Sequence, residues 1–132
     1  MSVAIVYWSQ TGNTEAMANI LADACGGEVI EWDGFSAARV ADYDALAFGC
    51  PAMGDEELDP DFEELWSDCK AELVDKPVVL FGSYDWGTGE WMEIWENDAS
   101  NAGVNVVATV IANLEPDDEA EEALKEAAAK LA

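Results

Sequence analysis

Four short apolar runs, SVAIVYW (2–8), ALAFGC (45–50), PVVLFGS (77–83) and VNVVATVIA (104–112), constrain the fold of this chain more than any other feature. They are near-continuous rather than alternating, which predicts strands covered on both faces and therefore helices above and below one sheet. A fifth segment, GEVIEWD (27–33), alternates: Val29 and Glu31 fall on the opposite side from Ile30 and Trp32, the pattern of an edge strand. Helical periodicity fills the gaps. Residues 13–25 place Ala16, Met17, Ile20, Leu21 and Ala24 on one stripe, 60–72 place Phe62, Leu65, Trp66 and Cys69, and 89–102 place Trp91, Met92, Trp95 and Ala99. A last helix is expected from Pro116 onward, with proline at its start, acids in its first turn and Lys125 and Lys130 late. Five strands alternating with helices predict an α/β fold with a doubly wound parallel sheet, and 132 residues suit a single domain spanning 1–132.

Charge narrows the partners. With Lys+Arg 5, Asp+Glu 29 and a formal charge of -24, the field of the protein repels nucleic acid and anionic membrane surfaces and attracts basic partners. The same acidity also suits solubility or adaptation to high salt. Cys25, Cys50 and Cys69 are odd in number and lack C-x-x-C spacing, and histidine is absent, so neither a disulfide framework nor a zinc site is expected. They read as small apolar fillers in a reduced compartment. The first residues hold no basic stretch leading an apolar one, and no run approaches a membrane-spanning length; a soluble, cytoplasmic protein is expected.

In such a sheet the ligand lies at the carboxyl ends of the strands, where segments 9–14, 51–58 and 83–90 converge. In SQTGNT, Ser9, Thr11, Asn13 and Thr14 offer hydroxyl and amide donors, Gly12 permits close approach, and the next helix adds free N–H groups, a phosphate site without a cation. Alone, the loop also reads as a polar turn with an Asn/Thr cap. It lacks the P-loop ending and the spaced glycines of a dinucleotide site, so a mononucleotide phosphate fits best. In PAMGDEE (51–57), Met53 precedes Gly54, after which the peptide can rotate between turn types. In GSYDWGTG (82–89), Trp86 sits among glycines, a poor place for a core residue. A methionine and a tryptophan on facing loops above a phosphate site describe a slot for a flat ring.

The three loops together resemble the flavodoxins: YWSQTGNTE is similar to the family's phosphate loop, AMGDE to its methionine-glycine turn and FGSYDWGTGEWM to its aromatic loop. The likeness covers essentially the whole chain, and VNVVATVIA runs without a long insertion, as in short-chain members. The resemblance implies a flavodoxin-like three-layer sandwich with strand order 2-1-3-4-5 and non-covalently bound flavin mononucleotide (FMN). Its implied contacts are Ser9, Gln10, Thr11, Gly12, Asn13 and Thr14 for the phosphate side, and Ala52, Met53, Gly54, Asp55 and Glu56 with Ser83, Tyr84, Asp85, Trp86 and Gly87 for the ring. Met53 and Trp86 would cover its two faces, Glu56 would accept from N3–H, and amides near Asp85 to Gly87 would meet the pyrimidine edge. The carbonyl after Gly54 would stabilise a neutral semiquinone. Pro51 stands where relatives often have a hydroxyl residue, and Asp85 where glycine is common; an ionised Asp85 near the ring should disfavour the anionic hydroquinone.

Electron carriage follows from charge as well. Acids at 55–57 oppose the second electron, and for one-electron steps a tenfold change in equilibrium is about 59 mV. The chain is thus expected to shuttle between semiquinone and hydroquinone at low potential. The acids of 55–72 form the expected docking face for basic redox proteins met transiently, by a protein expected to be monomeric. No catalytic residue or metal ligand stands out. Two alternatives carry specific requirements: a small FMN-dependent reductase needs room above the ring, and a phospho-receiver domain needs an acidic acceptor after strand 3 and a lysine after strand 5, where this chain reads FGCPAM and IANLEPD.

Overall fold

The structure, a computed structural model, describes residues 2–10, 12–53, 57–85 and 87–131. Strands β1 (Val3–Tyr7), β2 (Glu28–Glu31), β3 (Ala45–Gly49), β4 (Pro77–Tyr84) and β5 (Asn105–Asn113) alternate with helices α1 (Asn13–Cys25), α2 (Pro60–Cys69), α3 (Glu90–Asn101) and α4 (Asp118–Leu131). These strands pair in parallel in the order β2-β1-β3-β4-β5.

Strand alternation sorts the core into two layers. Ala4, Val6, Leu46, Phe48, Val78 and Leu80 face α2 and α3, whereas Val3, Ile5, Tyr7, Ala45, Ala47, Val79 and Phe81 face α1 and α4. The first layer is aromatic: the Trp66 ring lies 5.3 Å from Phe48 and 5.7 Å from Trp95, and Phe62 lies 5.8 Å from Trp95, all edge-on. Alanines dominate the helices of the second, where Ala18, Ala22, Ala120, Ala127 and Ala128 are buried.

Two local expectations are adjusted. The buried stripe of α1 is Thr14, Met17, Ala18, Leu21 and Ala22, turned from the predicted one so that small residues meet α4 and the sheet, and Ala24 is exposed. β5 is less covered than its apolar run predicts, with Val106 to Thr109 half-buried and Ile111 exposed, because only one of its edges is paired. Residues 32–42 form two 3-10 segments, Trp32–Gly34 and Ala37–Asp42, too short for a legible period, and this stretch and its flanks bury Phe35, Val40 and Tyr43 against the aromatic layer.

The three cysteines are free; Cys50 and Cys69 are buried, and burial pushes each thiol up to about 12. Among the described residues no helix is long and apolar enough to cross a membrane, and no cluster of possible metal ligands occurs.

Candidate functional site

β1 pairs with β2 on one side and β3 on the other, so the connections leaving β1 and β3 diverge and open a crevice at their carboxyl ends. Backbone bonds tie its rim together: Trp8 N–H donates to the Gly49 carbonyl (2.9 Å), Cys50 N–H to Phe81 (3.1 Å) and Ala52 N–H to Ser83 (3.0 Å). The second loop then closes on itself, Met53 and Glu57 exchanging bonds of 2.8 and 2.9 Å. Asp59 accepts the amides of Asp61 and Phe62 at 3.0 and 3.1 Å to start α2. The third loop is braced from β5, where the Tyr84 carbonyl accepts from Leu114 N–H (2.8 Å) and Asn113 Nδ2 (3.3 Å).

The first loop holds the distinctive chemistry. Gly12, with φ +93°, is the N-cap of α1 and has no side chain to offer its amides. Ser9 Oγ acts instead, accepting from the amides of Gly12 (3.1 Å) and Glu15 (3.3 Å). Its acceptor capacity is then used while its own proton remains to be donated. Ala16 N–H reaches the Gly12 carbonyl at 3.0 Å, whereas the amides of Asn13 and Thr14, in the first turn, precede any intrahelical acceptor. A serine proton, first-turn amides and the positive end of a helix make an anion cradle of neutral donors. The Thr14 hydroxyl, buried and 2.9 Å from Ser83 Oγ, fastens α1 to β4.

Beside this cradle a cleft of about 90 Å³ brings together Gln10 and Asn13 from the first loop, Ala52 and Met53 from the second, and Ser83, Tyr84 and Asp85 from the third. Pro51 and Leu114 complete its wall. Leu114 is not foreseeable from any motif; its one signal in the sequence is its place directly after β5, where it takes φ +60°. Among the described residues no lysine or arginine lines the cleft. Its volume holds roughly three waters, which suits a phosphoryl group and its ester linkage with a flat ring system left at the open mouth. The donors and apolar wall fit FMN in that arrangement. Gly87 is exposed with φ +91°. Thr11, Gly54, Asp55, Glu56 and Trp86 lie outside the described residues.

A larger groove of about 430 Å³ opens between α2 and α3, where Leu58, Trp66 and Ile94 meet Glu63 and the Lys70–Asp98 pair. Its cation, Lys70, is paired with Asp98 at 3.0 Å. Asp98 accepts from Trp66 Nε1 at 2.8 Å and from Lys70 Nζ at 3.0 Å. Burial alone raises its carboxyl, but the indole N–H and the ammonium outweigh that and hold it below the usual carboxylate range.

Comparison with known proteins agrees with the geometry. The flavodoxin family model matches residues 5–130. The chain is 46% identical to the flavodoxin of Megasphaera elsdenii over 97% of its own length and 98% of that protein. It is 39% identical to the flavodoxin of Clostridium beijerinckii over 97% of each. The solution structure of two-electron reduced Megasphaera elsdenii flavodoxin superposes with a TM-score of 0.89 at 44% identity, covering 97% of this chain and 98% of that one. With a parallel sheet in the order 2-1-3-4-5, neutral hydrogen-bond donors at the start of α1 and similarity running nearly end to end, the chain belongs to the flavodoxin family.

Proposed function

We propose that residues 9–14 hold the phosphate of FMN, that the second and third loops hold its ring at the cleft mouth, and that basic redox proteins dock beside it. As a flavodoxin the chain is an FMN-binding, low-potential electron carrier and not an enzyme. FMN, when bound, supplies the redox chemistry; the chain's residues bind it, orient it and set the charge around it.

One observation carries the placement of the phosphate: Ser9 Oγ, saturated as an acceptor by two amides, keeps a proton to donate at the N-terminus of α1. Neutral donors fix an anion in a molecule of charge -24 without placing a positive charge near the ring. Gln10 and Asn13 extend the polar side of the cleft, and Ala52, Met53 and Leu114 supply its apolar side. Trp86, on sequence grounds, covers the other face of the ring. Asp85 stands exposed at the rim, and Glu57 lies directly after the Met53 turn. Negative charge in both places makes each added electron more costly, which lowers the potential.

Electrons leave from the side of α2. Asp61, Glu63, Glu64 and Asp68 are exposed there, and the α2–α3 groove adds an apolar centre at Leu58 and Ile94. Among the described residues the ion pairs are Arg39–Glu28 and Lys70–Asp98, which leaves the exposed carboxylates of Asp61, Glu63, Glu64 and Asp68 open to a basic partner. Three free thiols, two of them buried, suit a reducing compartment, and we place the protein in the cytoplasm as a monomer.

The purified protein is expected to be yellow, with one FMN per chain, and partial reduction with dithionite should give long-wavelength absorption from the one-electron state. A colourless protein that fails to quench added FMN fluorescence rejects the reading. Electron transfer to a basic cytochrome should slow steeply as ionic strength rises past about 0.1 M, where the Debye length is ~10 Å; a flat dependence removes the docking face.

A further inference from the structure

α1 carries a carboxylate, Glu15, at its third position, from which glutamate commonly folds back onto the N-cap amide. Here that amide, of Gly12, is taken by Ser9 Oγ at 3.1 Å. The Glu15 carboxylate is instead bound by the Tyr7 phenol at the end of β1, whose hydroxyl donates to Oε2 at 2.9 Å. Tyr7 is 6% exposed and packed in the layer beneath α1 and α4, so its hydroxyl is fixed by the core rather than by the loop. Burial first, then the bond to Glu15 and the charges of Glu31 and Asp33, push the phenol up to about 12, so it remains a donor throughout the physiological range.

Freed from Tyr7, a carboxylate on the first turn has a nearby alternative: the positive end of the helix and the amides of Asn13 and Thr14. Those same groups form the phosphate cradle. We propose that Tyr7 is a positioning residue for the phosphate loop: its hydroxyl holds the Glu15 carboxylate on the β1 side of α1, away from the first-turn amides, and so removes an intramolecular competitor for the anion. Glu15 keeps its favourable place near the helix dipole without occupying the cradle. The inference rests on the assignment of residues 9–14 to the phosphate.

The test titrates FMN and riboflavin, which lacks the phosphate, into flavin-free wild type, Tyr7→Phe, Glu15→Gln and the double variant, following flavin fluorescence. Tyr7→Phe, which keeps the ring and its packing, should weaken FMN binding about fivefold, the factor for a charge at a helix terminus worth ~1 kcal/mol, and leave riboflavin within about twofold. Glu15→Gln alone should stay within about twofold for both flavins, and in the double variant FMN affinity should return to that level. A Tyr7→Phe variant with unchanged FMN affinity, with equal losses for both flavins, or without rescue by Glu15→Gln overturns the role of Tyr7. Equal affinity of the wild type for FMN and riboflavin overturns the phosphate site, and the inference with it.

Discussion

Gly82→Ala is expected to damage the fold and the site together, because the methyl has no room. A Cβ built on Gly82 lies 2.1 Å from the Cys50 carbonyl oxygen, 3.0 Å from the Cys50 carbonyl carbon and 3.1 Å from Cζ2 of Trp91. A carbon-to-oxygen contact needs about 3.3 Å, so the obstacle has to retreat by roughly 1 Å, and it is backbone rather than a pliable side chain. The Cys50 carbonyl is held by Trp91 Nε1 at 3.2 Å. Its own amide donates to Phe81 at 3.1 Å, and Ala52 donates to Ser83 at 3.0 Å. Overpacking costs about 1–3 kcal/mol, and each weakened hydrogen bond adds about 0.5–1.5 kcal/mol. The lower backbone entropy of alanine offsets about 0.5–1 kcal/mol. The predicted net loss is about 2–4 kcal/mol in urea unfolding of the flavin-free protein followed by far-UV circular dichroism. FMN affinity should fall as well, since the second loop is displaced with Cys50. Gly34→Ala is the control: its Cβ meets nothing nearer than Ile30 Cγ2 at 3.6 Å, and a change within about 0.5 kcal/mol is expected. Wild-type stability and FMN affinity in Gly82→Ala would refute the reasoning.

Three further outcomes are predicted. Asp98→Asn should destabilise by about 1 kcal/mol at pH 7, a value already discounted for screening of a side chain that is 44% exposed. The Asp98 carboxyl is depressed in the folded state, so its contribution is present above the unfolded value near 4 and is lost as pH falls through the folded one; a wild-type-to-variant gap that persists unchanged well below about pH 4 refutes this. Thr14→Val strands the buried Ser83 hydroxyl 2.9 Å from its lost partner and should cost about 1–3 kcal/mol, with Ser83→Ala added on top proving milder than the single change; simple addition of the two losses in urea melts argues against the pairing. With Cys50 and Cys69 buried and Cys25 partly exposed, a thiol reagent at pH 8 should modify one cysteine quickly in the native protein and three in urea, and rapid native labelling of all three contradicts the observed burial.

Much of the fold was legible because it repeats one local rule. Near-continuous apolar runs at 2–8, 45–50 and 77–83 have to be covered on both faces, and the helices between them carry apolar stripes that do the covering. The 3-10 segments at 32–42 were not legible, since Phe35, Val40 and Tyr43 are held by a core they do not themselves define. At the site, the donors of SQTGNT and the apolar Met53 could be picked out by type. The partner of the Thr14 hydroxyl was not legible, since Ser83 lies sixty-nine residues away in sequence. Leu114 joins the cleft wall only because β5 ends beside β4.

The order of elements, the layered architecture and a polar loop after β1 in a strongly acidic chain could all be read from the amino acids in order, because strand and helix periods, turn residues and net charge are local or additive properties. Which partners the polar side chains of the first loop and of α1 take was settled only by folding. Ser9 keeps its proton because two amides converge on its oxygen, Thr14 shares its hydroxyl with Ser83, and Glu15 is drawn off by Tyr7. Hydrogen-bond capacity is finite and is divided among neighbours that only folding brings within 3 Å or so.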